Sequence, residues 1–431
     1  MKKFKVVTLG CKVNSYESEA VANIFESNGY VRSEKDADVI IINTCSVTST
    51  SDSKSRQKIR HEIKDHPNAI VCVMGCYSQV NAQEAAEIDG VSIVIGTKYR
   101  SSLYELVKEY EQNKAKIIKI EDSNTFKKFE DLNVIDYFSN TRAYLKIQDG
   151  CNNFCSYCII PYVRGQIKSR DKNEVIKEAK HLLSLGFKEI VLTGIHTGSY
   201  GKDLDGYPFS SLVEDLLKLD GLYRLRISSI EESEIDDKLI SLLVNNEKLA
   251  KHLHIPLQAG SDHVLKLMNR KYDLNTFINN VLAIKEKVKD IAITSDVIVG
   301  FPDESEENFM DTLNTCKTLQ FAKIHVFPYS SRKGTVASKM KNQIDGNIKK
   351  DRAKRLLSLS NEMNYNYNKK FENKELEVLV EEFNKGYYVG HSSNFIKVLI
   401  ETDRKLNSND IVKVNVIKAY DSYVLAKIKG E

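Results

Sequence analysis

Asp149-Gly150-Cys151-Asn152-Asn153-Phe154-Cys155-Ser156-Tyr157-Cys158 puts three cysteines on one short loop, between a strand-like Ala143-Tyr144-Leu145-Lys146-Ile147 and a turn at Pro161-Tyr162-Val163-Arg164-Gly165. Thiolates at this C-x-x-x-C-x-x-C spacing can hold three irons of a 4Fe–4S cube. Sulfur is a soft donor, and the fourth iron is left open to a substrate or cofactor. A zinc knuckle would need a fourth Cys or His at short spacing, and none follows Cys158 before His181. A plain electron-transfer ferredoxin run ends in Cys-Pro, and no Pro follows Cys158 directly. The open-iron reading is the stronger one.

Outward from that loop, the chain of 431 residues is too long for one ordinary core and should divide into several domains. Its 63 Lys+Arg stand against 59 Asp+Glu, so any nucleic-acid contact must be local rather than a general basic coat. No apolar run is long enough to span a bilayer, and Met1-Lys2-Lys3-Phe4 leads into a strand with no signal-peptide pattern. A cytoplasmic protein without a membrane partner is therefore expected. The 8 cysteines then sit in a reducing compartment, where they stay available as metal-ligating thiols. The cysteine spacing, with Tyr157 just before the last thiol, resembles the cluster loop of the radical S-adenosylmethionine (SAM) superfamily.

Before the loop, Lys5 to Leu9, Asp38 to Ile42, Ala69 to Val73 and Val91 to Ile95 are short β-branched runs separated by helical stretches. Near-continuous apolar strands alternating with helices predict a doubly wound parallel α/β sheet. Three of these strands finish alike, at Gly10-Cys11, Thr44-Cys45 and Gly75-Cys76. Strand C-termini of such a sheet share one edge, so Cys11, Cys45 and Cys76 are candidates for a second cluster with an open iron. Small buried strand-end residues are the alternative. Cys72, inside a strand, and Cys316, inside a helical pattern, read as core.

Gly10-Cys11-Lys12-Val13-Asn14 with Tyr16-Glu17, Asn43-Thr44-Cys45 and Gly75-Cys76-Tyr77-Ser78-Gln79, followed by the cysteine loop, resemble the methylthiotransferase family over nearly the whole chain. Within it, Gly10 to Asn14 and Lys54-Ser55-Arg56-Gln57 look most like the branch that attaches a methylthio group to N6-threonylcarbamoyladenosine in tRNA. The resemblance implies two 4Fe–4S clusters, SAM in two roles, a tRNA anticodon loop as partner, an external electron donor and a sulfur donor of unknown identity. The target is adenine C2, whose C–H bond offers a general base little to work with. A 5′-deoxyadenosyl radical from SAM can take that hydrogen, and a methylated sulfur from the second cluster can replace it. Isopentenyl-adenosine tRNA or a ribosomal-protein aspartate are alternative substrates in the same family. A non-catalytic iron–sulfur RNA-binding protein and a structural zinc protein are alternatives of other classes.

The expected layout is residues 1–112 for the first cluster domain, a polar linker over 113–140, a radical domain over 141–370 and an RNA-binding domain over 371–431. From Ala143 to about Ser338, roughly six β/α units predict a partial parallel barrel with its chemistry at strand C-termini. There stand Thr193 and Gly194 of Thr193-Gly194-Ile195-His196, then Ser229, Gln258 and, further on, Arg270. By positional analogy these and Tyr157 are the expected SAM contacts, with Arg270 suited to a carboxylate. His196 and His254 read as hydrogen-bonded scaffold, and Arg164 to Arg170 receive no defined role. Five short strands after Phe371 predict a small antiparallel OB-like barrel, resembling the RNA-binding TRAM module. Phe383, Tyr387, Tyr388, Phe395 and Lys397 are its candidates for base stacking and phosphate contact, or else are core.

Overall fold

The structure is a computed structural model and describes residues 1–132, 134–137 and 141–430. The end of the expected linker, at 138–140, lies outside the described residues. The first sheet holds β1 (Lys3–Thr8), β2 (Val31–Arg32), β3 (Val39–Thr44), β4 (Ile70–Gly75), β5 (Val91–Ile95) and β6 (Ile117–Lys119). Its order is β2-β1-β3-β4-β5-β6 and every pairing is parallel. The strands are apolar on both sides because both faces are covered. Val39, Ile41, Cys72 and Met74 pack into one core, and Ile40, Ile42, Val71 and Val73 into the other. Cys72 is thus core, as its strand-interior position implies. The segment around Ile117, inside the expected linker, pairs with β5 as the edge of this sheet.

The second region has two sheets. β7 (Ala143–Asp149), β8 (Lys168–Ser169), β9 (Glu189–Gly194) and β10 (Arg224–Ile227) are ordered β10-β9-β7-β8; β11 (His252–His254), β12 (Ala292–Val299) and β13 (Lys323–Pro328) form the other. Single bridges at Leu225 with Leu249 and at Ser229 with His254 connect the two, and one core from Leu145 to Met363 runs behind both. Six parallel strands in one open arc make the partial barrel; β8 is a short antiparallel addition. Cys316 lies buried in that core.

The last region is a closed barrel of β14 (Glu375–Asn384), β15 (Tyr387–Ser392), β16 (Lys397–Glu401), β17 (Ile411–Ala419) and β18 (Val424–Ile428). Four of its five pairings are antiparallel, and closure is made by β16 pairing with β18 in parallel. Its core is aliphatic, built from residues such as Val378, Val398, Ile400, Val414, Val424 and Ala426.

A buried charge cluster joins the first region to the second. Glu17, on the helix Lys12–Ser27, meets Arg100 at 2.5 Å and both Lys146 of β7 and Arg164 at 2.7 Å; Asp149 accepts from Lys146 at 2.6 Å. Burial alone would raise the Glu17 pKa, but Arg100, Arg164 and Lys146 hold it well below the carboxylate range. The contribution is therefore present above the unfolded pKa of about 4.3 and is lost as pH falls. Removing one partner leaves buried cations uncompensated. Glu17→Gln is expected to cost about 3–5 kcal/mol, read as faster exchange of the β7 amides in native-state hydrogen exchange. Unchanged β7 protection would show that the cluster does not hold the regions together.

Candidate functional site

β1, β3 and β4 are neighbours, so the residues after them meet at one sheet edge. Gly10 and Gly75 make this approach possible: a Cβ on Gly10 would lie 3.0 Å from Cys45 Cβ, and one on Gly75 would lie 2.5 Å from the Thr44 carbonyl oxygen. Both adopt the left-handed region, at φ 118° and 103°, which only glycine enters freely. Asn14 donates to Asn43 Oδ1 and to the Thr44 carbonyl at 3.1 Å each, Asn43 donates back to the Asn14 carbonyl at 3.0 Å, and Thr44 donates to the Met74 carbonyl at 2.6 Å. Cys11, Cys45 and Cys76 are thus tied together by the polar residues beside them.

The segment that follows the second trio packs on the first. Cys76 packs against Ile159, the residue after Cys158, and against Val163, and Thr97 donates to the Val163 carbonyl at 2.8 Å. Arg332, in the loop after β13, pairs with Asp52 and hydrogen-bonds Ser46 beside Cys45. Each sulfur of the loop meets nitrogen. Asn153 N lies 3.5 Å from Cys151 Sγ, Ile160 N lies 3.4 Å from Cys158 Sγ, Arg270 Nη1 lies 3.4 Å from Cys155 Sγ, and His196 Nδ1 lies 3.7 Å from Cys151 Sγ. N–H donors converging on sulfur suit thiolate ligands. They would stabilise the charge that burial opposes, burial having pushed the Cys158 thiol up to about 12.

Four thiolates around one zinc would lie about 4 Å apart. Among the described residues, the one group of three His, Cys, Asp or Glu with ligand atoms within 4.8 Å of one another is His254, Asp296 and His325; neither cysteine trio qualifies.

The expected SAM contacts divide. Thr193, Gly194 and Ser229 line a central cavity of about 570 Å³ together with Cys11. Tyr157 packs edge-on to Phe301, and Gln258 sits after β11 at φ 65° with its backbone paired to β12. Arg270 turns one amino group to Cys155 and the other to Glu231, so the cluster loop takes part of its fork. His196 is more than scaffold for its own loop, since its Nε2 lies 3.0 Å from Glu234. Burial lowers its pKa, but Cys151 and Glu234 outweigh that and raise it to about 10.

None of the candidate RNA-contact aromatics is fully buried, and Tyr388 packs against the barrel core. Phe383 is 62% exposed and packs against Tyr388 at 4.8 Å, with Tyr387 half-buried beside them. Phe395 stacks on His252 at 4.9 Å and on His391 at 4.7 Å, so its ring is committed to the junction of two regions. Lys397 lines the central cavity. Residues that sequence reasoning passed over include Arg164, Glu231 and Lys12. Lys12 also lines the cavity, where burial and then Arg226 and Arg142 lower its pKa to about 8.

This arrangement is that of a radical SAM enzyme. Residues 145–316 match the Radical SAM superfamily and residues 3–96 match the Uncharacterized protein family UPF0004. The fold is shared with the radical SAM methyltransferase TsrM from Kitasatospora setae, at TM-score 0.57 and 12% identity over 76% of this chain and 72% of that one. The threonylcarbamoyladenosine tRNA methylthiotransferase MtaB of Bacillus subtilis is 46% identical over 96% of this chain and 93% of that protein. Its counterpart in Aquifex aeolicus is 40% identical over 88% and 92%. The tRNA-2-methylthio-N(6)-dimethylallyladenosine synthase of Carboxydothermus hydrogenoformans is 36% identical over 88% of each. The chain belongs to the radical SAM methylthiotransferase family. Membership in the radical SAM superfamily implies SAM and a 4Fe–4S cluster.

Thiol reactivity checks this geometry in metal-free protein. Cys11 is exposed, Cys76 is buried with its pKa pushed to about 11, and Cys72 and Cys316 are fully buried. Iodoacetamide at pH 8 should label Cys11 at least about tenfold faster than Cys76 and leave Cys72 and Cys316 unlabelled until the chain unfolds. Equal rates at Cys11 and Cys72 would contradict it.

Proposed function

We propose that this chain is a tRNA methylthiotransferase that converts N6-threonylcarbamoyladenosine at tRNA position 37 to its 2-methylthio derivative, using SAM and two 4Fe–4S clusters in the cytoplasm. The observation that supports the reading is the contact of Cys76, of the first trio, with Ile159 and Val163 of the segment that follows the second. When bound, a cluster on Cys151, Cys155 and Cys158 supplies with SAM the one-electron chemistry an unactivated C–H bond needs, and one on Cys11, Cys45 and Cys76 supplies sulfur. The protein's own groups hold and orient. Arg270, His196 and the amides of Asn153 and Ile160 bear on the loop sulfurs, while Glu231 and Glu234 fix Arg270 and His196. Thr193, Gly194 and Ser229 offer polar contacts for SAM, with Tyr157, Gln258 and Arg270 as its remaining candidates.

Recognition of tRNA is assigned to residues 371–431, through Phe383, Tyr387, Tyr388 and Lys397, with the linker over 113–140 between cluster domains 1–112 and 141–370. Phe383 presents the freest aromatic surface for a loop base, with Tyr388 beside it. An external reductant and a sulfur source complete the requirement. Among the described residues, no helix is long and apolar enough to cross a membrane.

The test pairs two variants with tRNA analysis. In the reduced, anaerobic protein, Cys155→Ala should abolish 5′-deoxyadenosine formation, while Cys45→Ala should retain it and stop methylthiolation. Mass spectrometry of tRNA from a deletion strain should show threonylcarbamoyladenosine without its methylthio group. A retained methylthio group there, with the dimethylallyl nucleoside losing its own, would move the enzyme to the other substrate.

A further inference from the structure

The central cavity has an unusual charge balance. Lys12, Lys323 and Lys397 line it with His252, His254 and His325, and no Asp or Glu does. None of the three lysines has a hydrogen bond or ion pair among the described residues, and all three are exposed. The carboxylates within reach are already engaged. Glu189 is held by Arg224 at 3.1 Å and Arg226 at 2.8 Å, and Asp296 by His254 at 3.2 Å. Ammonium groups gathered around one space with no carboxylate in its lining favour an anion as the occupant.

Two occupants suit these side chains. His254, Asp296 and His325 could converge on a divalent cation. Lys12 and Lys323 act on His325 electrostatically, however, so that cation would sit beside two ammonium groups. An anion is the better match. A backbone phosphate is one such anion, but this cavity also takes in Cys11, Thr193, Gly194 and Ser229, which places its occupant beside the groups proposed to react. About 570 Å³ accommodates a base with its substituent.

Resting on the function proposed above, we infer that Lys12 and Lys323 form a specificity site for the carboxylate carried by the N6-threonylcarbamoyl group. A dimethylallyl substituent has no charge to offer, and entering would leave the ammonium groups unpaired. The site therefore both attracts the acidic side chain and rejects the apolar one.

The experiment uses anaerobically reconstituted enzyme and anticodon stem-loops whose modified adenosine carries either the threonyl carboxylate or the corresponding carboxamide. Wild type should bind the carboxylate RNA at least about tenfold more tightly. Lys12→Met and Lys323→Met should each shrink that ratio toward one and leave carboxamide binding unchanged, and Lys323→Arg should restore part of it. Iron and sulfide content of each variant reports intact clusters, and Lys323 is remote in sequence from every cluster cysteine. Equal affinity of wild type for the two RNAs would overturn the inference while the methylthiotransferase reading stood. An equal loss for both RNAs in the variants, with a shallower salt dependence, would overturn it in favour of a phosphate contact. Turnover of a dimethylallyl stem-loop alone would overturn both readings.

Discussion

Glu17 is the residue on which the arrangement depends. It lies in the first region, six residues beyond Cys11, and accepts from Arg164, six residues beyond Cys158, so one carboxylate ties the anchor of one trio to that of the other. The cost of burying these charges is met because Lys146, Arg100 and Asp149 complete the set and leave Glu17 surrounded by donors. Arg164 also acts on Cys76 electrostatically, so the same guanidinium that fixes the interface bears on a candidate ligand. A change here would displace two sites together.

Around that clamp the site is built mainly by residues that are not candidate ligands. Gly75 lets β4 pass beside Thr44, Asn14 and Asn43 lock the first two loops to each other, and Glu231 holds Arg270 against Cys155. Orientation of this kind is what the proposed pair of clusters sharing one nucleotide would require, because small displacements between reacting groups cost large factors in rate.

Much of this was legible in the order of residues. Strand ends followed by Gly10-Cys11, Thr44-Cys45 and Gly75-Cys76 announce a shared edge because parallel sheets place all their C-termini together. The asparagines and Glu17 stand in the quoted motifs, yet their roles were not readable there. Glu17 finds Arg164 across 147 residues, and Asn14 finds Asn43 across 29. Periodicity reports which face is buried and says nothing about which distant charge will meet it. Phe395 is a case in the other direction: an aromatic in a small barrel suggests a stacking platform, but the docking of that barrel puts His252 and His391 on its ring. The parallel pairing of β16 with β18 was hidden for a related reason, since closure depends on strand order in space rather than along the chain.

The central claim is that both cysteine trios face one another closely enough to serve a single base. Pulsed electron paramagnetic resonance on the anaerobically reduced, reconstituted protein measures this most directly. The account predicts that each cluster speeds the spin relaxation of the other, and that replacing either trio with alanine slows relaxation of the one that remains. Relaxation that is identical in wild type and in both triple variants would contradict it.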